Sequence, residues 1–313
     1  MLEAKNIHKY YDMRKIAVLR DVSFRVPCGK TFSLLGTSGS GKSTLMGILS
    51  GEISPTSGSV LIDGREYSEI AESERGMIGY MPVRMRLYPE MTVNEYLYHI
   101  LSMKNIRKKL RTEYAAQALE QARLKEYGGK LIQSMTIYER MRLKLAQAIC
   151  GETTYLLLDE PTALLKSAEA AEMHEIIRGI LSGGKYATVI STQHLREAKE
   201  LSDNILIINN GKIAVNTSVQ EISKGQKMLK MRLGTDRRSA EEYIAQMRRL
   251  AETDVLTHGN EKELELIFKY PREQDLREVA WKKTAEFGLP ILEMTQQDIS
   301  LEEIYLQITG ERA

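Results

Sequence analysis

Apolar residues occur along most of the chain in short runs that predict alternating strands and helices. Residues 31–36 (TFSLLG), 155–161 (YLLLDEP) and 186–193 (YATVISTQ) are nearly continuous apolar runs, which are typical of strands buried on both faces of a parallel sheet. Residues 17–26 alternate between apolar and polar positions, which predicts an antiparallel strand. Residues 204–215 predict a hairpin around an Asn-Gly turn. The overall pattern indicates an α/β fold.

The order of elements changes near residues 221–227 (EISKGQK). Beyond this stretch the pattern is strand, helix, strand, strand, helix, strand, which predicts a small ferredoxin-like α+β domain. We therefore expect two domains, at residues 1–220 and 225–313. Within the first, residues from about 88 to 148 have a helical pattern and form a predicted helical subdomain.

Composition and charge restrict the classes of protein that fit. The chain has 313 residues, of which 42% are hydrophobic and 27% are charged, as in ordinary globular proteins. A formal charge of +2 does not indicate a nucleic-acid partner. Two cysteines, Cys28 and Cys150, form no disulfide framework, so we expect a reducing, cytoplasmic compartment. We expect no signal peptide and no spanning segment, so a membrane role would depend on a partner.

The strongest motif is GTSGSGKST, which follows a predicted strand, precedes a predicted helix and fits the G-x-x-x-x-G-K-[ST] phosphate loop. Its glycines allow backbone N–H groups to surround phosphate oxygens. Lys42 supplies a cation to the terminal phosphates, and Ser43 offers an oxygen to Mg²⁺. The candidate nucleotide-binding residues are Gly36, Thr37, Ser38, Gly39, Ser40, Gly41, Lys42, Ser43 and Thr44.

Two acids stand at the end of a later predicted strand. Asp159 suits a Mg²⁺ site, and Glu160 suits the polarisation of an attacking water. An acidic pair alone is often only a helix start, but together with the phosphate loop it indicates nucleotide hydrolysis. His194 ends the next strand on the same edge of the sheet, and only this position distinguishes it from a structural histidine.

These motifs, together with LYPEMTVNEYL and LAQAICGETTYLLLDEPT, resemble the ATP-binding cassette (ABC) ATPases of ABC transporters over residues 1 to about 220. The resemblance implies a P-loop NTPase cassette: a RecA-like parallel sheet core, an antiparallel β subdomain and a helical subdomain. The C-terminal SLEEIYLQITG resembles the tail of exporter-type cassettes that carry a small accessory domain. In the family, two cassettes meet head to tail, and each ATP lies between the phosphate loop of one and the signature loop of the other.

The resemblance also implies roles for matching residues. Tyr11 would stack on adenine, with Tyr10 as a competing candidate, and Lys42 with the loop amides would bind the phosphates of ATP. Ser43 and Asp159 would hold Mg²⁺. Glu160 would be the catalytic base, and His194 would contact the γ-phosphate.

Several positions depart from the family pattern. The signature Leu-Ser-Gly-Gly-Gln is replaced by residues 135–139, Met-Thr-Ile-Tyr-Glu. The Ser-Gly-Leu-Asp that commonly follows DEPT is replaced by residues 163–166, Ala-Leu-Leu-Lys, and the glutamine that senses Mg²⁺ or water is Val83.

The altered signature has a physical interpretation. Thr136 and Glu139 fit a capping box, in which each side chain binds the backbone N–H of the other residue. Donors that would meet a γ-phosphate are then satisfied internally, the Glu139 carboxylate repels phosphate, and Tyr138 prevents the close approach that glycine allows. The elements that would act on a partner's nucleotide are altered, whereas those acting on the chain's own nucleotide are retained except at Val83. This division favours a heterodimer over a homodimer.

We therefore expect the ATP-hydrolysing subunit of an ABC exporter, peripheral on the inner face of the cell membrane, with ATP, Mg²⁺, a second cassette and membrane permease subunits as partners. The positions at which family cassettes dock a permease helix hold Met85, Leu87, Tyr88, Met91 and Tyr96, and an equal share of these residues fits the protein core. One alternative is a regulatory cassette with little turnover. Another is a soluble cassette acting on nucleic acid or ribosomes. We expect no nucleic-acid partner, because the basic stretch 104–111 fits a solvated helix face.

Overall fold

The computed structural model describes residues 1–11, 16–220, 226–236, 238–251, 255–259, 263–271, 275–299 and 301–310. These residues divide into two compact units. The first is Met1–Val219 together with residues 308–310, and the second is Gln220–Gln307. Most of the predicted linker, residues 221–225, lies outside the described residues.

The strands of the described residues are β1 (Leu2–Tyr11), β2 (Ile16–Val26), β3 (Thr31–Leu35), β4 (Ser57–Ile62), β5 (Arg65–Glu66), β6 (Ile78–Met81), β7 (Tyr155–Asp159), β8 (Ala187–Thr192), β9 (Asn204–Asn209), β10 (Lys212–Ser218), β11 (Gln226–Leu233), β12 (Val255–Gly259), β13 (Leu264–Pro271) and β14 (Ile291–Ile299). The α-helices are α1 (Lys42–Leu49), α2 (Val93–Met103), α3 (Lys108–Gln121), α4 (Ile137–Ile149), α5 (Ser167–Leu181), α6 (Leu195–Leu201), α7 (Glu241–Ala251), α8 (Leu276–Glu286) and α9 (Leu301–Thr309).

A six-stranded sheet forms the centre of the first unit, in the order β10-β9-β3-β8-β7-β6. The strands from β9 to β6 are parallel, and β10 adds an antiparallel edge through the predicted Asn-Gly hairpin. Asn210 and Gly211 both have positive φ angles, of 47° and 75°, as such a tight turn requires. Because β3, β7 and β8 are parallel, their carboxyl ends meet at one edge, where ligands bind in this class of sheet.

A smaller antiparallel sheet has the order β2-β1-β4-β5. It shares an apolar core with α1, to which Leu2, Ile7 and Leu45 belong. The sequence pattern did not predict β1. Its pairing with β2 shifts register between Ala4 and Ile7, and Asn6 has a positive φ of 48°. The irregularity breaks the period-two alternation by which an antiparallel strand is identified.

A layer of helices, α2, α3 and α4, lies within the predicted helical stretch. Buried residues such as Tyr96, Leu97 and Leu119 join these helices to Leu143 and to Leu156 of β7 in one continuous core. The helical layer is therefore packed on the nucleotide-binding sheet and positions the N-terminus of α4.

The second unit has the sheet order β12-β13-β11-β14, and all its pairs are antiparallel. With α7 and α8 as connections, this is the order of the ferredoxin-like βαββαβ arrangement that the sequence predicts. Leu229, Tyr243 and Phe268 belong to its own buried core.

Candidate functional site

The loop between β3 and α1 is shaped for close backbone approach. A Cβ atom added to Gly36 would lie 2.5 Å from the Ile208 carbonyl oxygen and 2.7 Å from Ser40 Oγ, so only glycine fits this position. Gly41, at the start of α1, has a φ of 107°, which an L side chain rarely adopts. The loop therefore turns tightly into the helix N-terminus, where backbone N–H groups lacking helical partners can bind an anion.

Lys42 is the cation of this loop and is only 4% exposed. Its Nζ donates to the carbonyl oxygens of Gly36 at 2.8 Å and Thr37 at 2.9 Å, and it lies 3.6 Å from Glu160 Oε1. Burial lowers the pKa of Lys42, although Glu160 and Asp159 act in the opposite direction. The ammonium is held at the mouth of the loop, where it can bind phosphate.

The acidic pair lies at the end of β7, beside the loop. Asp159 is buried and accepts a hydrogen bond from Ser191 Oγ on the neighbouring β8. Burial raises the pKa of Asp159, while hydrogen bonds from Ser191 and Ser43 partly offset this effect. Glu160 has a left-handed backbone with a φ of 48°, and its N–H donates to the Ser191 carbonyl at 3.1 Å. The turn projects the Glu160 carboxylate toward Lys42 rather than along the strand.

The side chain that reaches Glu160 from β8 is Gln193. Its Nε2 atom donates to Glu160 Oε1 at 2.8 Å. The resemblance implied that His194 contacts the γ-phosphate. The His194 side chain is exposed at the N-cap of α6, and this contact stays a prediction. Strand periodicity could have identified Gln193, because the Ser191 side chain points to Asp159 and alternate residues of extended chain share a side.

A cavity of about 240 Å³ brings these groups together, lined by Val18, Ser38, Gly39, Gly41, Lys42, Ser43, Thr44 and Glu160. Ser40, in the same loop, has a buried hydroxyl that makes no hydrogen bond to any described residue. This unsatisfied donor and the glycine-lined loop both fit an anionic phosphate chain. Ser43 and Asp159 offer two oxygen ligands, which suits Mg²⁺ because that ion usually takes its remaining ligands from phosphate and water. The described residues hold no cluster of three metal-binding side chains.

The aromatic candidates for adenine lie at the end of β1. Tyr10 and Tyr11 are both exposed, and the Lys9 ammonium lies 5.1 Å from the centre of the Tyr11 ring. Tyr10 instead stacks on His8 with ring centres 6.5 Å apart. The next residues, 12–15, lie outside the described part of the chain, so stacking of Tyr11 on adenine stays a prediction.

The N-terminus of α4 is closed by its own side chains. Thr136 Oγ1 accepts from the Glu139 N–H at 3.2 Å, and Glu139 Oε2 accepts from the Thr136 N–H at 2.9 Å, so the predicted capping box is present. The sequence did not show that Lys130 Nζ also binds Glu139, at 2.8 Å. Tyr138 is half-buried, with the Arg142 guanidinium 4.5 Å from its ring centre.

The other departures from the family pattern also have local partners. The Val83 carbonyl accepts a hydrogen bond from Lys144 of α4 at 3.1 Å, so this loop is anchored through its backbone. The Lys166 N–H donates to Glu169 at 3.0 Å, which caps the start of α5.

A buried network behind the site was not predicted from the sequence. Glu197 accepts hydrogen bonds from Thr162 Oγ1 at 2.9 Å and from Thr192 Oγ1 at 2.5 Å, and its Oε1 lies 3.1 Å from His174 Nε2. Thr162 follows the acidic pair and Thr192 precedes Gln193. The network therefore ties together the two loops that carry Glu160 and Gln193.

Among the helices that the structure describes, none combines the length and apolar character required to cross a bilayer.

Comparison with known proteins agrees with this geometry. The ABC transporter family profile matches residues 19–163. An uncharacterized ABC transporter ATP-binding protein of Bacillus subtilis (strain 168), YxlF, is 27% identical over 308 residues, covering 98% of this chain and 99% of the relative.

Solved structures show the same fold. The ATP-binding cassette MJ0796 in a dimeric post-hydrolysis state with ADP and Pi has a TM-score of 0.62 at 23% identity, covering 70% of this chain and 99% of that chain. A second dimeric structure of MJ0796, a bacterial ABC transporter cassette, has a TM-score of 0.63 at 23% identity with the same coverage. The predicted α/β P-loop cassette fold is confirmed, and residues 19–163 match the ATP-binding cassette domain of ABC transporters, a family of ATPases.

Proposed function

We propose that this chain is the ATP-binding and ATP-hydrolysing subunit of an ABC exporter, paired with a different cassette and with membrane permease subunits. Residues 1–220 form the cassette domain and residues 225–313 form an accessory domain. One observation carries the proposal: Lys42 and Glu160 line one cavity, whereas the N-terminus of α4 is closed by Thr136 and Glu139.

The roles of the site residues follow from their contacts. Lys42 and the loop N–H groups bind the phosphates of ATP, and Ser43 and Asp159 hold Mg²⁺, which neutralises charge on the phosphates when bound. Glu160 accepts a proton from the attacking water. Its carboxylate lies close enough to Lys42 to meet a water beside the terminal phosphate, at 3.6 Å between the two side chains.

The closed helix start argues for unlike partners. In head-to-tail pairing, this chain would present α4 to the partner's nucleotide, but the N–H groups of Thr136 and Glu139 are already used. The Glu139 carboxylate would add like-charge repulsion to a phosphate. A second cassette with an open signature would complete the nucleotide site around Lys42. Its own nucleotide would face the closed N-terminus of α4 from this chain.

Permease docking is supported by a groove of about 340 Å³ beside α4. Its apolar lining includes Met85, Leu87, Ile132, Ile137, Met141 and Leu164. Flexible methionines and exposed aliphatic side chains suit the docking of a partner helix. Such docking would place the chain on the cytoplasmic face of the cell membrane.

The test compares the chain alone with the chain mixed with the second cassette from the same operon. We expect MgATP binding in both cases, and at least tenfold faster hydrolysis in the mixture, because only there does Lys42 face an intact signature. Fast hydrolysis by the isolated chain, or failure to bind MgATP, would contradict the proposal.

A regulatory cassette with little turnover is the second candidate. It is supported by Val83, an apolar residue whose carbonyl is held by Lys144. This candidate predicts that the complete complex binds MgATP but that Glu160→Gln leaves its turnover unchanged.

A nucleic-acid role gains no support from the basic stretch. Lys104 is turned inward and donates to the Cys150 carbonyl at 2.9 Å, and Arg111 donates to the Ile106 carbonyl at 2.7 Å. Lys104 and Arg111 thus stabilise helix ends, while Arg107, Lys108 and Lys109 are exposed, as on a solvated helix face.

A further inference from the structure

We propose that Gln193 is the positioning residue of the hydrolytic site, holding the Glu160 carboxylate while that carboxylate accepts the proton of the attacking water. The inference rests on the proposed function, because it assigns a role within the same reaction. It begins from one contact, the 2.8 Å hydrogen bond from Gln193 Nε2 to Glu160 Oε1.

Glu160 has a fixed backbone but a side chain that needs support. Its N–H is held by the carbonyl and hydroxyl oxygens of Ser191, each at 3.1 Å. A glutamate side chain still has three free torsions, so its carboxylate must be oriented by contacts of its own. Gln193 and Lys42 make those contacts, and both approach the same oxygen, Oε1. Within the described residues Oε2 accepts no hydrogen bond and remains able to accept a proton.

The amide also limits competition between two essential groups. Lys42 lies 3.6 Å from Glu160 Oε1, and its hydrogen bonds go instead to the Gly36 and Thr37 carbonyls. Without the Gln193 donor, the half-buried Glu160 carboxylate would satisfy itself by closing on Lys42. A tighter ion pair would withdraw the ammonium from phosphate. Gln193 therefore keeps Glu160 oriented and leaves Lys42 free for nucleotide.

His194 does not reach this carboxylate. Its N–H donates to Thr192 Oγ1 at 2.9 Å and its carbonyl accepts from the Ala198 N–H at 3.1 Å, so its backbone starts α6 while its side chain is exposed. Gln193 and His194 are adjacent in the sequence, but of the two only Gln193 donates a hydrogen bond to Glu160.

An amide and an imidazole differ in a measurable way. The amide of Gln193 donates hydrogen bonds but does not titrate, whereas an imidazole changes charge near neutral pH. The charged groups around the amide are Glu160, Lys42 and Asp159. Hydrolysis should therefore show no ionisation from the Gln193 position.

The first experiment measures single-turnover ATP hydrolysis by the full-length chain with its second cassette. Gln193→Leu removes the donor at similar size and should slow hydrolysis by about ten- to a hundredfold, the usual effect of misplacing a reacting group. Gln193→His restores an N–H donor and should recover most of the rate, with a new loss below about pH 6.5 as the imidazole becomes charged.

The second experiment measures MgATP affinity and does not depend on turnover. Gln193→Leu should weaken binding by about three- to tenfold, a normal coupling between residues in contact. In the Glu160→Gln background the same change should have no effect, because the competing carboxylate is gone. An equal loss of affinity in both backgrounds would show that Gln193 is merely structural.

Other results separate this inference from the proposed function. If hydrolysis survives Gln193→Leu, the assignment of Gln193 is overturned and the proposed function stands. If wild-type hydrolysis is absent even with the second cassette, the proposed function fails, and the affinity cycle still decides whether Gln193 restrains Glu160.

Discussion

Lys130 Nζ lies 2.8 Å from Glu139 Oε2, so the residue that caps α4 is also paired with a lysine from the preceding loop. Burial alone would raise the pKa of Glu139, but the Lys130 ammonium and the Thr136 N–H outweigh it and lower the pKa. Glu139 as a whole residue is 8% exposed, and its carboxylate stays ionised at neutral pH. A helix start that commonly offers N–H groups to phosphate is here occupied by a fixed negative charge.

Replacement of this carboxylate should cost stability and not activity. Glu139→Ala should lower the free energy of unfolding by about 0.5–2 kcal/mol, because a cap is lost. ATPase activity of the assembled complex should remain nearly unchanged, since α4 faces the site that we propose to be inactive. Urea unfolding and steady-state hydrolysis measure the two effects.

Glu139→Gln is the matched control, because glutamine also serves in a capping box but cannot pair ionically with Lys130. It should lose less stability than Glu139→Ala. If Glu139→Ala abolished the ATPase activity of the complex at unchanged stability, the loop before α4 would be a working nucleotide contact.

The isolated chain should bind MgATP yet hydrolyse it slowly. Its own phosphate loop is complete, but a second copy would present the same closed start of α4. We expect turnover well below about 1–100 s⁻¹, the range typical of phosphoryl-transfer enzymes. Turnover within that range by the purified chain would be incompatible with this account, and phosphate-release kinetics measures it.

Glu160 and Lys42 should have separable roles. Glu160→Gln removes the base but leaves the phosphate contacts, so it should trap ATP with nearly unchanged affinity. Lys42→Ala removes a charge-assisted contact and should weaken binding itself. Isothermal titration with MgATP and single-turnover hydrolysis distinguish the two, and equal affinity with equal residual turnover would contradict this division.

His174 should make stability depend on pH. Its hydrogen bond with Glu197 raises its pKa, Glu200 adds to this effect and burial opposes it. Because the folded-state pKa lies above the unfolded value, the stabilisation is fully present below about pH 6.5 and is lost as pH rises through the folded pKa. The variant His174→Gln cannot take up a proton at this position, so it serves as the reference.

Urea unfolding near pH 5.5 and near pH 8 tests this expectation. The stability of the wild type relative to His174→Gln should be greater at the lower pH. A difference that is equal at both pH values, or larger at pH 8, would mean that His174 and Glu197 are not coupled as described.

The local sequence was sufficient to predict those features that depend on residues close together in the chain. The phosphate loop, the acidic pair after β7 and the capping box of Thr136 and Glu139 each depend on residues within a few positions of one another. The buried strands β3, β7 and β8 were predicted for the same reason, because their apolar runs record burial directly.

Tertiary structure decided the contacts between distant segments. The partner of Glu139 is Lys130, and nothing in a capping box specifies a lysine six residues before its first member. Gln193 and His194 are neighbours in the sequence, and only the end of β8 determines which one faces Glu160. The irregular β1 is a strand because β2 and β4 pair with it across a register shift. Helix and strand periodicity thus determined the elements, whereas packing of the loops between them determined which side chains form the site.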